Sequence, residues 1–431
     1  MKITGKTASD VFEAIRGQVQ TLQLSPGQAL PPVRQLALEL GVNRNTVAAA
    51  YKRLVAAGIA ETRGRLGTVV CETVGPGEQE GGIAHSRLTD LSSGNPNPMW
   101  LPDPLHALAQ RKSPLRLYGD APVDPAFQGA AYQWLADDCP SRPEINLTHG
   151  AVDAVERLLA AHLVAGDKVA VESPCFISSI NTLRIAGLQA VGIPVDEQGM
   201  QAAALEAALA KGVQAVLITP RAHNPTGSSV SYERAAEIRA VLERHPQVLA
   251  LVDDHFALLA DSPFNQVIPS STRRWALVRS VSKAFGPDLR LAVVGSDLET
   301  SQRLRLRLAS GTTWVSRLLQ DIAYTCLTSA LIREQIERAR ADYKHRRETL
   351  IGRLSSHGIQ AQCPCDGLNV WVPLNQEVDP VILQLAQRGW VVRSGTGFTV
   401  QDPIRGIRVT ISMLDAEQAA HFADDLSQCL K

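Results

Sequence analysis

Along residues 1–71 the apolar positions recur at helical spacing and then tighten into two short extended runs. Val11, Ile15, Val19 and Leu22 fall on one face of a predicted helix, which Ser25-Pro26-Gly27 ends. Pro32 opens a second helix carrying Leu36, Ala37 and Leu40, and Gly41 stops it. Asn43 caps a third, with Val47, Tyr51 and Leu54 inward, so "ELGVNRNT" forms the tight turn of a helix-turn-helix. "IAETRGRLGTVV" then predicts two strands around a basic wing bearing Arg63 and Arg65.

The pattern breaks at residues 72–88, where four glycines (75, 77, 81 and 82), Pro76 and few large apolar groups make a flexible linker. From residue 89 to 431 it resumes differently. Short apolar runs, "KVAVES", "AVLIT", "VLALVDD", "WALVRSVS" and "LAVVGS", alternate with helical stretches such as "AVDAVERLLAAHL" and "SYERAAEIRAVLERH". That alternation predicts an α/β body with a mostly parallel sheet covered on both faces, whose ligands sit at the carboxyl ends of the strands. "RLRLRL" at 303–308 alternates like a strand, but "SDLETSQ" before it reads as a helix start. The expectation is a helix whose basic flank is solvated or meets another subunit, with contact to DNA as the lesser alternative.

Composition narrows the class. The chain has 431 residues, 45% of them apolar and 5% aromatic, as in ordinary globular α/β proteins. No apolar run is long enough for a membrane span, and "MKITGKTASDVFEAI" lacks the core of a signal peptide. The seven cysteines are scattered, and "CPC" at 363–365 is too tightly spaced for a common zinc site, so no metal is expected. Reduced thiols and a cytoplasmic location follow as expectations. Net charge is zero overall, yet residues 1–71 hold nine Lys/Arg against four Asp/Glu, which is +5 and leaves −5 for the rest. A basic head on an acidic body points to a polyanion partner for the head alone. Arg44, Asn45 and Thr46 stand at the N-terminal end of the third helix, the part of a recognition helix that meets base edges and phosphates.

Candidate chemistry lies in five turns of the body. Thr148-His149-Gly150 leads into a helix whose first N–H groups can hold a phosphate. Phe176 closes "ESPCF", Asn224 precedes Pro225 in "NPTG", and Asp253 leaves a buried strand, where an acid requires a cationic partner. "SVSKAFGPDLR" gathers Ser280, Ser282, Lys283 and Arg290 in one loop, which suits a phosphate and an amine nucleophile. Each turn alone has a bland reading as a solvated loop or a core residue; their order and spacing do not. Asp253 follows Asn224 by 29 residues and Lys283 follows Asp253 by 30.

Residues 25–70, with "LPPVRQLA", "NRNTVAAAY" and "GTVV", resemble the winged helix-turn-helix domain of the GntR family. The Asn–Asp–Lys series resembles fold-type-I pyridoxal-phosphate enzymes, from "LYGDAP" at 117–122 to "IRVTIS" at 407–412. Together the two blocks resemble MocR-type regulators and are most similar to the PtsJ group linked with vitamin B6 metabolism. The resemblance implies domains at 1–71 and 89–431, with a smaller C-terminal subdomain from about 330. For DNA it implies that Arg34 and Arg44 touch double-stranded operator DNA and that Arg63 and Gly64 approach the minor groove. For pyridoxal 5'-phosphate it implies a Schiff base at Lys283, with Gly150, Ala151, Ser280, Ser282 and Arg290 on the phosphate. It further implies that Asp253 pairs with the pyridine nitrogen, Asn224 bonds the ring hydroxyl oxygen, Phe176 stacks on the ring and Tyr118 reaches a partner subunit's phosphate in a homodimer. The resemblance also puts Arg408 at the place where the family binds an amino-acid carboxylate.

One departure from the pattern matters: the acidic pair is followed by His255 where a tyrosine is usual, and His149 adjoins the phosphate helix. An imidazole titrates near neutrality, so these residues argue against efficient transamination. The expectation is a regulator whose operator binding depends on pyridoxal phosphate. The alternatives are a working aminotransferase with an accessory head, and a scaffold that has lost its cofactor.

Overall fold

The computed structural model describes residues 3–62, 67–71, 81, 87–111, 113–114 and 116–431. The chain divides into two units, an N-terminal head and a larger body. In the head, α1 (Ala8–Gln20) starts in a capping box between Thr7 and Asp10. α2 (Val33–Leu40) stops at Gly41, whose φ of 62° is left-handed. α3 (Arg44–Ala56) is capped by Asn43, whose side chain accepts from Asn45 N. Val11, Phe12, Ile15, Leu36, Val47 and Leu54 close the core between these helices.

Leu22 departs from the expected helical face. It lies beyond the end of α1 with φ 57° and 73% exposure, and Leu24 fills the core instead. Strands β1 (Ala60–Thr62) and β2 (Thr68–Val70) pair antiparallel and flank the wing tip. Arg63 and Gly64 lie outside the described residues.

The body begins with β3 (Thr89–Asp90). Its main sheet holds β4 (Glu144–Thr148), β5 (Lys168–Ser173), β6 (Gln189–Asp196), β7 (Gly199–Met200), β8 (Ala215–Ile218), β9 (Leu249–Asp253), β10 (Arg274–Ser280) and β11 (Ala292–Ser296). Their order is β4-β11-β10-β9-β8-β5-β6-β7. β5, β8, β9 and β10 run parallel, and β11 is antiparallel to both its neighbours. Every residue of β8 and β9 is buried, which is why these runs are apolar up to Asp253 rather than alternating.

The segment 303–308 is helical, inside Leu298–Ala309, with Asp297 as its cap. Leu304 and Leu308 are buried, and Arg305 is held by Asn146 and Glu144 of β4. That arginine belongs to the body's own packing. A second sheet, β12 (Asn369–Pro373), β14 (Arg393–Ser394) and β15 (Gly406–Thr410), is antiparallel in the order β12-β15-β14, while β13 (Trp390–Val391) pairs with β3. No helix among the described residues is long and apolar enough to cross a membrane.

Candidate cofactor site

The carboxyl ends of β4, β5, β9 and β10 come to one edge of the sheet, and the chain leaves each of them in a turn that carries a polar group. A cavity of about 400 Å³ opens there. Ala151, Phe176, Asn224, Asp253, His255, Ser280, Ser282, Lys283 and Arg290 all line it. The structure therefore brings together residues that lie as far apart as 151 and 290 in sequence.

One end of the cavity is built for an anion. Gly150, at φ 94°, precedes the helix Ala151–His162 without any side-chain cap, so the first N–H groups at Ala151 and Val152 meet the cavity. A Cβ at Gly150 would come within 2.9 Å of the Arg290 guanidinium, so the close approach of these two residues requires glycine. Arg290 itself sits at φ 39° and donates to His149 O at 3.5 Å. Ser280 Oγ accepts from Ser282 N at 3.2 Å, and the buried Ser282 Oγ has no hydrogen-bond partner.

The other end holds an amine, an acid and two plates. Lys283, in the short helix Ser282–Phe285, donates through Nζ to Gly94 O at 2.5 Å. Asp253 is buried and its Oδ1 has no hydrogen-bond partner. Burial first, and the neighbouring Asp254 second, push its carboxyl up to about 7. Glu172, at the end of β5, is pushed up to about 8, mainly by burial, although Thr219 N donates to it at 2.6 Å. Phe176 and His255 face each other as parallel rings, 6.4 Å between centroids and 8° between planes. Two carbon–carbon contacts of about 3.5 Å each sum to about 7 Å, more than this gap, so a flat ring enters between them only when the two side chains part slightly. His255 thus lies parallel to Phe176 across the cavity wall, a placement that its replacement of tyrosine did not suggest.

Beneath the cavity lies a hydrogen-bonded layer. Asp254, fully buried, accepts from Arg221 Nε and Nη2 at 3.0 and 2.6 Å and from Arg279 Nε at 2.9 Å. His223 bonds Thr226 Oγ1 through Nδ1 at 2.8 Å, and burial pushes its imidazole down to about 3, so it is neutral. Glu172, His223 and this arginine pair carried no signal in spacing; the position of Glu172 at a strand end, like that of Asp253, was the only clue.

Three residues singled out in the sequence stand apart from the cavity. Arg408 is fully buried and gives its Nη groups to Asn224 Oδ1 at 2.8 Å and Ser92 O at 2.6 Å, with its guanidinium over the Phe398 ring. In this arrangement it braces Asn224. Tyr118 is 92% exposed and packs edge-on against Trp314. Gly150 acts from behind Arg290 rather than in the lining. In the head, Arg34, Arg44 and Asn45 are exposed and Thr46 is half-buried, the placement a DNA-reading face requires.

Comparison with known proteins agrees with both units. Residues 7–70 match the family of bacterial regulatory proteins, gntR family, and residues 86–426 match aminotransferase class I and II. The vitamin B6 salvage pathway transcriptional repressor PtsJ of Salmonella typhimurium is 50% identical over 428 residues, covering 99% of each chain. The pyridoxine biosynthesis transcriptional regulator PdxR of Corynebacterium glutamicum is 26% identical, over 88% of this chain and 86% of its own. The crystal structure of Pyrococcus horikoshii kynurenine aminotransferase superposes with a TM-score of 0.73 at 20% identity, over 80% of this chain and 91% of that one, which establishes the fold-type-I architecture. The chain belongs to the MocR-type transcription regulators, in which a GntR-family DNA-binding head is joined to an aminotransferase-like body.

Proposed function

We propose that this chain regulates genes of vitamin B6 salvage and that its affinity for operator DNA responds to pyridoxal 5'-phosphate held on Lys283. The observation that carries this reading is Asp253, an acid buried at the cavity wall with one oxygen unbonded. Leaving such a group unmet costs about 1–3 kcal/mol or more, and a pyridinium N–H supplies the bond and the charge it lacks. The name of the Salmonella relative supports the pathway and the sense of control, repression.

In this reading the chain's own residues divide the ligand among them. The N–H groups of Ala151 and Val152, the hydroxyls of Ser280 and Ser282 and the Arg290 guanidinium hold the phosphate, Arg290 by charge-assisted bonds. Phe176 and His255 clamp the ring, and Asn224, oriented by Arg408, addresses its hydroxyl oxygen. Bound pyridoxal phosphate contributes an aldehyde and an electron-accepting ring. Lys283 is the residue that would hold the aldehyde, its amine serving as the nucleophile once neutral. A carboxylate effector at Arg408 would exchange the Ser92 carbonyl for a charge-assisted bond.

A homodimer completes the picture. Tyr118 stands exposed beside exposed Leu117, with Met99 and Leu105 also exposed elsewhere on the body, and a second copy would cover such residues while Tyr118 reaches its phosphate. Two heads then meet two half-sites. The test is titration of operator DNA with the full chain, with and without pyridoxal 5'-phosphate. The affinities are expected to differ by about 5–150-fold, the usual range of allosteric coupling. Arg44→Ala should weaken binding in both states. Equal wild-type affinities would remove the regulatory claim.

A further inference from the structure

One residue lining the cavity comes from the stretch between head and body: Gly81. Its carbonyl oxygen accepts a hydrogen bond from Arg393 Nη2 at 3.1 Å. Arg393, on β14, stands directly across the antiparallel ladder from Arg408 on β15. Residues so opposed share one face of a sheet, so Arg393 lies on the face from which Arg408 reaches Asn224. Gly81 has φ 118°, a conformation that L side chains rarely adopt, and a Cβ there would meet nothing within 4 Å. The glycine therefore answers to its backbone conformation, and open space lies beside it.

Resting on the reading that the cavity takes pyridoxal phosphate, we propose that Arg393 anchors the interdomain tether to the cofactor cavity at Gly81, so that filling the cavity is transmitted to the head through this contact. Filling the cavity adds packing contacts beside Gly81, and the loaded protein holds the tether more firmly. Sequence distance gives the anchor leverage: Gly81 is ten residues after Cys71, whereas Arg87 is sixteen after it. At about 3.5 Å per extended residue, the longest leash on the head is about 35 Å with the anchor and about 55 Å without it. Half-sites one helical turn apart are separated by about 34–36 Å, so a change of this size decides which half-site pairs two heads can span.

The experiment digests the full chain with a glutamate-specific protease, with and without pyridoxal 5'-phosphate, and follows cleavage after Glu78 and Glu80, which of the tether's three glutamates are the two nearest Gly81. Wild type, Arg393→Gln and Gly81→Ala are compared, and visible absorbance reports loading in each. Cofactor is expected to slow wild-type cleavage several-fold. Both variants should be cut rapidly in either state, and in Arg393→Gln, still loaded, the cofactor-dependent change in operator affinity should shrink towards one. An Arg393→Gln protein that loads and keeps the wild-type protection and DNA response would overturn the anchor, as would loaded wild type with an unprotected tether. Wild type that never loads contradicts the functional reading itself, an outcome that absorbance alone identifies.

Discussion

Asp253 and Asp254 leave the same strand one residue apart and enter opposite circumstances. Asp254 points into the layer beneath the cavity, where Arg221 and Arg279 give it three hydrogen bonds. Asp253 points at the cavity, keeps an unbonded oxygen and has its carboxyl raised to about 7 by burial and by its neighbour. The contrast separates a network that the fold completes by itself from a site that the fold leaves open. Buried acids alone do not mark a function; an acid that the protein declines to pair does.

Removing the paired acid should have the largest effect. Asp254→Asn leaves two arginines without their shared counter-charge, and breaking a buried pair in this way destabilises by about 3–5 kcal/mol. Chemical denaturation, with or without cofactor, is the measurement. An unchanged midpoint would mean that the lower layer is not the load-carrying network described here. Asp253→Asn should do the reverse: cofactor-free stability stays the same or rises, while pyridoxal 5'-phosphate affinity falls about 10–100-fold, the value of a bond to a charged group. Equilibrium titration by absorbance reads it.

The pH effect acts on the same cofactor-free protein. The Asp253 carboxyl is raised from 3.8 to about 7 in the fold, so the native state holds a proton that the unfolded chain has released. Stability is then full below about pH 4 and falls as pH rises towards 7; Glu172, raised to about 8, adds a fall of the same sign. Thermal midpoints of the cofactor-free protein should decline across this window, and less steeply in Asp253→Asn. The least expected change is in Phe176→Ala, which removes one of two plates. It should weaken cofactor binding by about 0.5–1.5 kcal/mol beyond lost area, leaving Asp254 and its arginines undisturbed.

How much of this was legible beforehand depends on the range of the interaction. The strand end carrying Asp253, the turn carrying Asn224, the glycine before the phosphate helix and the Lys283 loop are local patterns, and periodicity places them at one edge of a parallel sheet. The three head helices were legible for the same reason. The failure at Leu22 was also local: the helix stops at Gln20, and Leu22 turns outward in a left-handed conformation that spacing alone could not announce.

What could not be read were contacts between distant segments. Arg221 and Arg279 converge on Asp254 from different elements, and Arg408 reaches Asn224 across 184 residues. Gly81 meets Arg393 across 312. His255 read only as standing where a tyrosine is usual; that its ring lies parallel to Phe176 depends on their positions in space.

The most direct test is the visible absorbance of the purified full-length protein titrated with pyridoxal 5'-phosphate, alongside Lys283→Ala. A saturable long-wavelength band in wild type that is absent from a folded Lys283→Ala protein is the expected result. A wild-type spectrum equal to that of free cofactor, or an identical band in the variant, would contradict covalent capture at Lys283.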